Sequence, residues 1–373
     1  MNVVLWNIGQ QDFYQKMFIK VEKDILDIIL QTDRNKKRER AIDVFVQLMT
    51  SSRMNYHKVY LKYSLTADEE KLLKAAVDEN SWREFLKLQR ERFDVEGFIA
   101  LLDIYAVITT SKHCSRVGKE LIVNPLETSD FLLGMKTYLA TENQRDGVLY
   151  QRIAELFKRS KRLSNMNSSF VKWKGGGSDF GGTLKSDEIL NCNFVFAIAD
   201  SDKHCPSDKI GKTAKGIKFL GHNRFNADYY ILNDVLEVEN LIPYKIVQDI
   251  FPRISELMYY DLSYFDFKKG LTHTILYDKE RRNYWKSNFR GLYVDWEQVE
   301  TLAKEPTFSM YCDAVHGMKS LIPGFGSDLL ESALCMPTWS SITDSDLTSS
   351  QQKEWNILGK KIFSWTCCSQ KRL

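Results

Sequence analysis

Phe194-Val195-Phe196-Ala197-Ile198-Ala199 is the longest clean apolar run in the chain, and it ends on Asp200-Ser201-Asp202. A strand with no polar face has to be covered on both sides. That requirement places it inside a parallel or mixed sheet with helices above and below. Open α/β sheets bind ligands at the carboxyl ends of their strands. Two carboxylates one residue apart at such an end repel each other unless a proton or a cation intervenes. Hard oxygen donors with few protein contacts suit Mg²⁺ or Mn²⁺. The plain alternative is an Asp-rich turn facing solvent.

Strand candidates surround this run. Glu120-Leu121-Ile122-Val123, Phe170-Val171-Lys172-Trp173 and Asp228-Tyr229-Tyr230-Ile231-Leu232 all read as short strands. Helices are expected over 130–140 and 147–160, so strands alternate with helices as in an α/β fold. The apolar run is expected to be the central strand, between those near residues 121 and 230. Two further acidic sites follow strand candidates. Glu127 lies in the turn after 120–123, with Ser129 or Asp130 able to cap a following helix. Glu237 and Glu239 follow 228–232 and point the same way if that piece is extended. Either site has an ordinary reading, as a loop glutamate or a solvated edge.

The flanks differ in pattern. Residues 1–117 read as a helical domain. Ile25, Ile28 and Ile29 recur at helical spacing, as do Ile42, Phe45, Val46 and Met49, and Phe98, Leu101, Leu102 and Tyr105. Thr66 with Glu69 and Ser81 with Glu84 have the spacing of capping boxes. The basic run Arg34–Arg40 is a solvated helix start or a phosphate-contacting patch. Residues 246–373 read as an aromatic-rich, mainly helical region. In it Trp355, Leu358, Ile362 and Trp365 form one core-facing stripe.

The net charge of +3 gives no global signal for nucleic acid, which leaves only local patches such as Lys203, Lys209, Lys212, Lys215 and Lys218 to guide a phosphate backbone. No stretch approaches the roughly 20 apolar residues of a membrane span. The start lacks the basic segment of a signal peptide, so a cytoplasmic protein with no membrane partner is expected. Seven cysteines without a C-x-x-C pair argue against a disulfide framework, and His113-Cys114 and His204-Cys205 lack ordinary zinc spacing. Pro206–Thr213 ends like a phosphate-binding loop, but Pro206 stands where glycine is needed. Lys174–Gly182 is glycine-rich and reads as a flexible loop or a mobile cover over a crevice.

Taken in order, a strand then Glu127, a strand then Asp200-Ser201-Asp202, and a strand then Glu237 and Glu239-Asn240 resemble the Toprim domain. That is the catalytic domain of topoisomerases, bacterial primases and overcoming-lysogenization-defect nucleases. The Glu239-Asn240-Leu241 stretch is similar to an element of stand-alone Toprim proteins of anti-phage systems such as PARIS. The resemblance covers about 118–245, and Thr128 stands where the family usually has glycine. It implies an α/β fold with a Toprim-like, mostly parallel sheet covered by helices on both faces. The implied activity is phosphodiester hydrolysis of DNA, RNA or tRNA with Mg²⁺ or Mn²⁺. Metal ligands would be drawn from Glu127, Asp200, Asp202, Glu237 and Glu239. Glu127 would serve as general base, and Lys268 or Lys269 would face the scissile phosphate. The implied setting is antiviral defence under a partner ATPase, with self-association possible. A degenerate Toprim fold acting as a non-catalytic scaffold is the alternative.

Overall fold

The computed structural model describes residues 17–33, 35–91, 94–128, 137–163, 166–168, 170–290, 294–302 and 320–369. Two parallel sheets organise it. β1 (Phe18–Val21), β2 (Lys58–Tyr60), β3 (Tyr105–Ile108), β4 (Ser115–Val117) and β5 (Glu120–Val123) form the first, in the order β2-β1-β3-β5-β4. Only β4 runs antiparallel, as a short hairpin partner of β5. β6 (Thr137–Thr141), β8 (Val171–Lys174), β9 (Phe194–Ala199) and β10 (Ala227–Ile231) form the second, in the order β10-β9-β6-β8, parallel throughout. β7 (Met166–Ser168) pairs with β13 (Cys367–Ser369), and β11 (Gly270–Thr272) with β12 (Ser320–Pro323), each antiparallel.

The chain is therefore α/β, and the apolar run is an interior strand as its composition requires. All of its side chains are buried. Phe194, Phe196 and Ile198 join the large core shared with the helices Gln144–Ser160 and Ser349–Thr366. Val195, Ala197 and Ala199 face a second core built on Phe180, Leu184, Ala214 and Ile217 from the short helices Phe180–Ser186 and Lys212–Ile217. Strand alternation thus feeds two helical layers from one six-residue element.

Four expectations are corrected. The strand beside β9 is β6 and not the one near residue 121, which lies in the first sheet. Part of the stretch expected as a helix over 130–140 is β6 itself. Thr137, Tyr138 and Thr141 are residues that favour a pleated surface, and both neighbours of β6 are strands. The boundary at 117/118 falls inside the first sheet, between the paired strands β4 and β5. The first segment is also not purely helical. The helix Val95–Leu101 ends before Tyr105, and 105–108 is a buried strand, so a helical spacing of apolar residues ran across a helix–strand junction.

The stripe Trp355, Leu358, Ile362, Trp365 does lie on one helix, Ser349–Thr366, with every member buried. Trp365 stacks on Phe196, with ring centroids 5.7 Å apart and planes 9° from parallel. The helix crosses Gln144–Ser160 closely because Gly359 lies against Phe157. A Cβ there would stand 2.6 Å from the Phe157 Cβ, nearer than carbon atoms pack. No helix among the described residues is long and apolar enough to cross a membrane.

Phe196 is fully buried and couples the second sheet to the C-terminal helix. Phe196→Ala is expected to cost about 3–5 kcal/mol of stability. The check is a guanidinium unfolding curve, with the midpoint lowered and the slope unchanged.

Candidate acidic site at the carboxyl ends of two parallel strands

β6 and β9 are neighbours in register and end side by side, β6 at Thr141 and β9 at Ala199. The residue after each is acidic: Glu142 and Asp200. Glu142 sits at a strand-to-helix corner. The Thr141 hydroxyl donates to the Asn143 carbonyl at 2.6 Å, and the Asn143 N–H donates to the Asp146 carboxylate at 2.9 Å. Asp146 thereby starts the helix Gln144–Ser160 from its first turn. The Glu142 Oε1 accepts from the Asp200 N–H at 3.3 Å, which joins the two strand ends.

A third segment closes over them. The Asp200 Oδ1 accepts from the Val238 N–H at 3.0 Å. The Ser201 and Asp202 N–H groups both donate to the Leu236 carbonyl at 3.1 Å. Asn240 shapes this segment. Its Oδ1 accepts from the Glu237 N–H at 3.0 Å, and its amide donates to the Leu262 and Phe265 carbonyls at 2.8 Å each. Glu237 is extended and Glu239 lies in the 3₁₀ turn Val238–Leu241, yet both carboxylates reach the same ammonium. The Lys268 Nζ stands 2.9 Å from Glu237 and 3.0 Å from Glu239. Lys268 is itself placed by Asp266, whose Oδ1 accepts from the backbone N–H groups of Lys268 and Lys269.

This gathering is electrostatically expensive. Burial, followed by repulsion from Glu142, Asp146, Glu239 and Glu237, pushes the Asp200 carboxyl well above its ordinary range. Burial pushes Glu142 up to about 7, with Asp202 and Asp146 adding to it against the Asp200 N–H. Burial likewise raises Asp146 to about 7 and Glu237 to about 8, with Glu239 the repelling neighbour of each. For Lys268, burial opposes the charge, but Glu237 and Glu239 outweigh it and hold the ammonium well above the usual lysine range. One ammonium serves five close acids, Glu142, Asp146, Asp200, Glu237 and Glu239. The Glu237 Oε1 and Glu239 Oε2 are buried with no hydrogen-bond partner.

The structure brings together Asp200, Glu237, Glu239 and Lys268, with Asp202 at the rim. It does not bring Glu127. That residue follows β5 in the other sheet, where its carboxylate accepts from the Cys114 N–H at 3.1 Å and pairs with the His113 ring at 2.5 Å. Arg40 ties the same loop down through the Pro125 and Thr128 carbonyls, so part of the basic run is structural. Glu127 was expected here because it too is an acid one turn after a parallel strand. Glu142 holds the place instead, and Asp146 and Glu142 are the site residues the sequence reading missed. The available signal was Glu142-Asn143-x-x-Asp146, an Asn with a carboxylate three residues on, marking a helix start straight after the strand-favouring Thr137-Tyr138-Leu139-Ala140-Thr141. Lys203 lines a groove beside β10, while Lys209 and Lys212 are exposed on the loop and helix start beyond it.

No family model, no curated protein and no solved structure matches this chain.

The raised carboxyls fix a sign. In the folded state these groups bind protons that the unfolded chain releases, so the stability they contribute is fully present below the ordinary carboxylate range and is lost as pH rises through about 7 to 8. Asp200→Asn keeps the acceptor for the Val238 N–H and removes the charge. With divalent ions chelated, the variant is expected to melt higher than the parent by on the order of 2 °C. The gap should be wider near about pH 8.5 than near about pH 5.5. Melting curves of both proteins at the two pH values check it, and a lower melting point for the variant at both would contradict the repulsion argument.

Proposed function

We propose that this protein hydrolyses phosphodiester bonds of nucleic acid with a divalent metal, Mg²⁺ or Mn²⁺, at the site formed by Glu142, Asp200, Asp202, Glu237, Glu239 and Lys268. The observation that carries the reading is the pair of acids, Glu142 and Asp200, ending adjacent parallel strands and hydrogen-bonded to each other. The donor set fits a hard cation in kind: all ligating atoms are carboxylate oxygens, and two buried ones lack any partner. Among the described residues, no three His, Cys, Asp or Glu side chains already stand as a metal-ligand set. Asp200 with Asp202 and Glu239 would hold the ion, and Glu142 takes the part expected of Glu127.

The ion, when bound, would supply polarisation of water and of a phosphate oxygen. The chain's own groups do the rest. Glu142, fixed at its strand end, accepts the proton that the attacking water gives up. Lys268 places a positive charge beside the phosphate. Asn240 holds the Glu237–Glu239 turn in position. In its biological setting the resemblance to anti-phage Toprim proteins supports a defence effector governed by a partner ATPase, acting on DNA, RNA or tRNA. One observation favours a second reading, a non-catalytic scaffold: Lys268 already neutralises Glu237 and Glu239, and the acids stand short of a closed ligand set.

The two readings separate in one experiment. Plasmid DNA, single-stranded DNA, RNA and total tRNA are incubated with the parent, Asp200→Asn and Glu142→Gln, with EDTA, Mg²⁺ or Mn²⁺, and melting is followed in the same buffers. The nuclease reading expects metal-dependent cleavage that falls by about 10³-fold or more in either variant. It also expects Mn²⁺ to raise the melting temperature of the parent but not of Asp200→Asn. Unchanged cleavage in Asp200→Asn, or no effect of Mn²⁺ on the parent in either assay, would rule it out in favour of a scaffold.

A further inference from the structure

Beside the acidic site, on the outer edge of the second sheet, runs an open groove of about 500 Å³. β10 forms its floor and has a strand partner on only one side. Four cations line it, from four separate parts of the fold: Arg116 of β4, Lys203 after β9, Lys218 just past the helix Lys212–Ile217, and Lys361 of the helix Ser349–Thr366. Asp228 is the one carboxylate among its lining residues. Arg116 pairs with it at 2.9 Å, and Lys361 pairs with Asp103 at 2.9 Å. Lys203 and Lys218 have no acidic partner among the described residues. The groove is thus a positive channel in a chain of nearly balanced charge. It lies next to an acidic site, because Lys203 directly follows Asp202.

An exposed strand edge ordinarily invites another strand. This one is closed to it. The outward N–H of Tyr229 donates to the Asp228 carboxylate at 2.8 Å, and Arg116 holds that carboxylate from the first sheet. A peptide strand would have to break both contacts. A polyanion would need to break neither, and it would meet Lys203 and Lys218 unpaired. Tyr229 and Tyr230 are also among its lining residues, with the Lys361 ammonium 5.8 Å from the Tyr230 ring centroid. Cations tracking a backbone, with aromatic rings between them, are what an unpaired polynucleotide requires.

We infer that this groove binds the phosphate backbone of a single-stranded nucleic acid and leads it past Lys203 toward Asp202. The inference rests on the nuclease reading for the fate of the strand, but not for its binding. Of the lysines picked out along the sequence after Asp202, Lys203 belongs to the groove. Lys218 belongs to it as well, whereas Lys209 and Lys212 are not among its lining residues.

The test is fluorescence anisotropy with a labelled 20-nucleotide oligothymidine in EDTA, so that no cleavage intervenes. The parent is expected to bind with an affinity that falls as salt rises from about 50 to about 200 mM. Lys203→Glu and Lys218→Glu should each weaken binding about tenfold or more. The double variant should flatten the logarithmic salt slope by about 1.4, at roughly 0.7 per lost phosphate contact on a single strand. Lys74→Glu, an equal charge reversal on the exposed face of the helix Ala67–Ala76, should leave the affinity unchanged. Melting curves confirm that every variant is folded. The inference is overturned by no binding, by equal loss in Lys74→Glu, or by tighter binding of a duplex of the same length. Binding lost in the lysine variants, with no cleavage by the parent under any ion, would leave the groove standing and remove the nuclease reading. Cleavage with binding untouched by the lysine variants would do the reverse.

Discussion

Mutual repulsion among Glu142, Asp146, Asp200, Glu237 and Glu239 is the constraint around which the second half of the molecule is arranged. Glu142, Asp146, Asp200 and Glu237 are worse off ionised here than in water, because burial removes their solvation and neighbouring carboxylates add their charge. A fold optimised for stability alone would place amides or apolar groups there. Lys268 offsets part of the repulsion but makes its ion pairs only with Glu237 and Glu239. Backbone N–H groups of Asn143, Asp200 and Val238 donate to Asp146, Glu142 and Asp200 respectively, and stabilise them on the other side.

Holding such a cluster requires rigid support, and the C-terminal helix provides it. Gln351 donates to the Asn240 and Ile242 carbonyls at 2.9 and 2.7 Å, and the Trp355 indole donates to the Leu241 carbonyl at 3.0 Å. Glu354, fully buried, accepts from the Asn233 N–H at 3.0 Å and the Asp234 N–H at 3.4 Å. These bonds fix the segment that carries Glu237 and Glu239 from behind, while Asn240 fixes it from within. Further along the same helix, Trp365 stacks under β9 through Phe196. One helix thus braces two of the three acid-bearing segments, and the third is the start of Gln144–Ser160, against which that helix packs at Gly359. The aromatic stripe that reads as plain core is what sets the geometry of the site.

The legible part of the sequence was whatever had a local physical cause. β9 could be read because six apolar residues allow only a strand covered on both faces, and the Asp200-x-Asp202 end followed from it. The helix Ser349–Thr366 could be read from its spacing, and the capping box of Thr66 and Glu69 forms at the start of Ala67–Ala76 as expected. The illegible part was pairing between distant segments. β5 and β6 are both short, both parallel, and both followed by an acid. Only the hydrogen-bonded register tells which one lies beside β9, and the residues that decide it are 58 positions apart where Glu142 meets Asp200. Reading 130–140 as a helix concealed β6 and with it Glu142. The split of the chain near 117 had a similar origin, since β3 and β5 complete a sheet begun by β1 far upstream.

Asp202 shows how the site and the groove are joined. Its φ of +56° is left-handed, a conformation that costs an ordinary side chain about 1–2 kcal/mol. Two backbone hydrogen bonds to the Leu236 carbonyl hold it there, together with a bond from the Gly211 N–H to the Ser201 carbonyl at 2.9 Å. The space its carboxylate occupies exists because residue 211 is glycine: a Cβ there would fall 1.9 Å from the Asp202 Oδ2. In a relaxed extended conformation the chain would continue the line of β9 and carry Lys203 onward with it. The left-handed turn at Asp202 instead breaks that line. Asp202 is left at the rim of the acidic site and Lys203 in the wall of the basic groove. The strain therefore sits at the one residue where a chain leaving a buried acidic cluster has to turn into a positively charged channel.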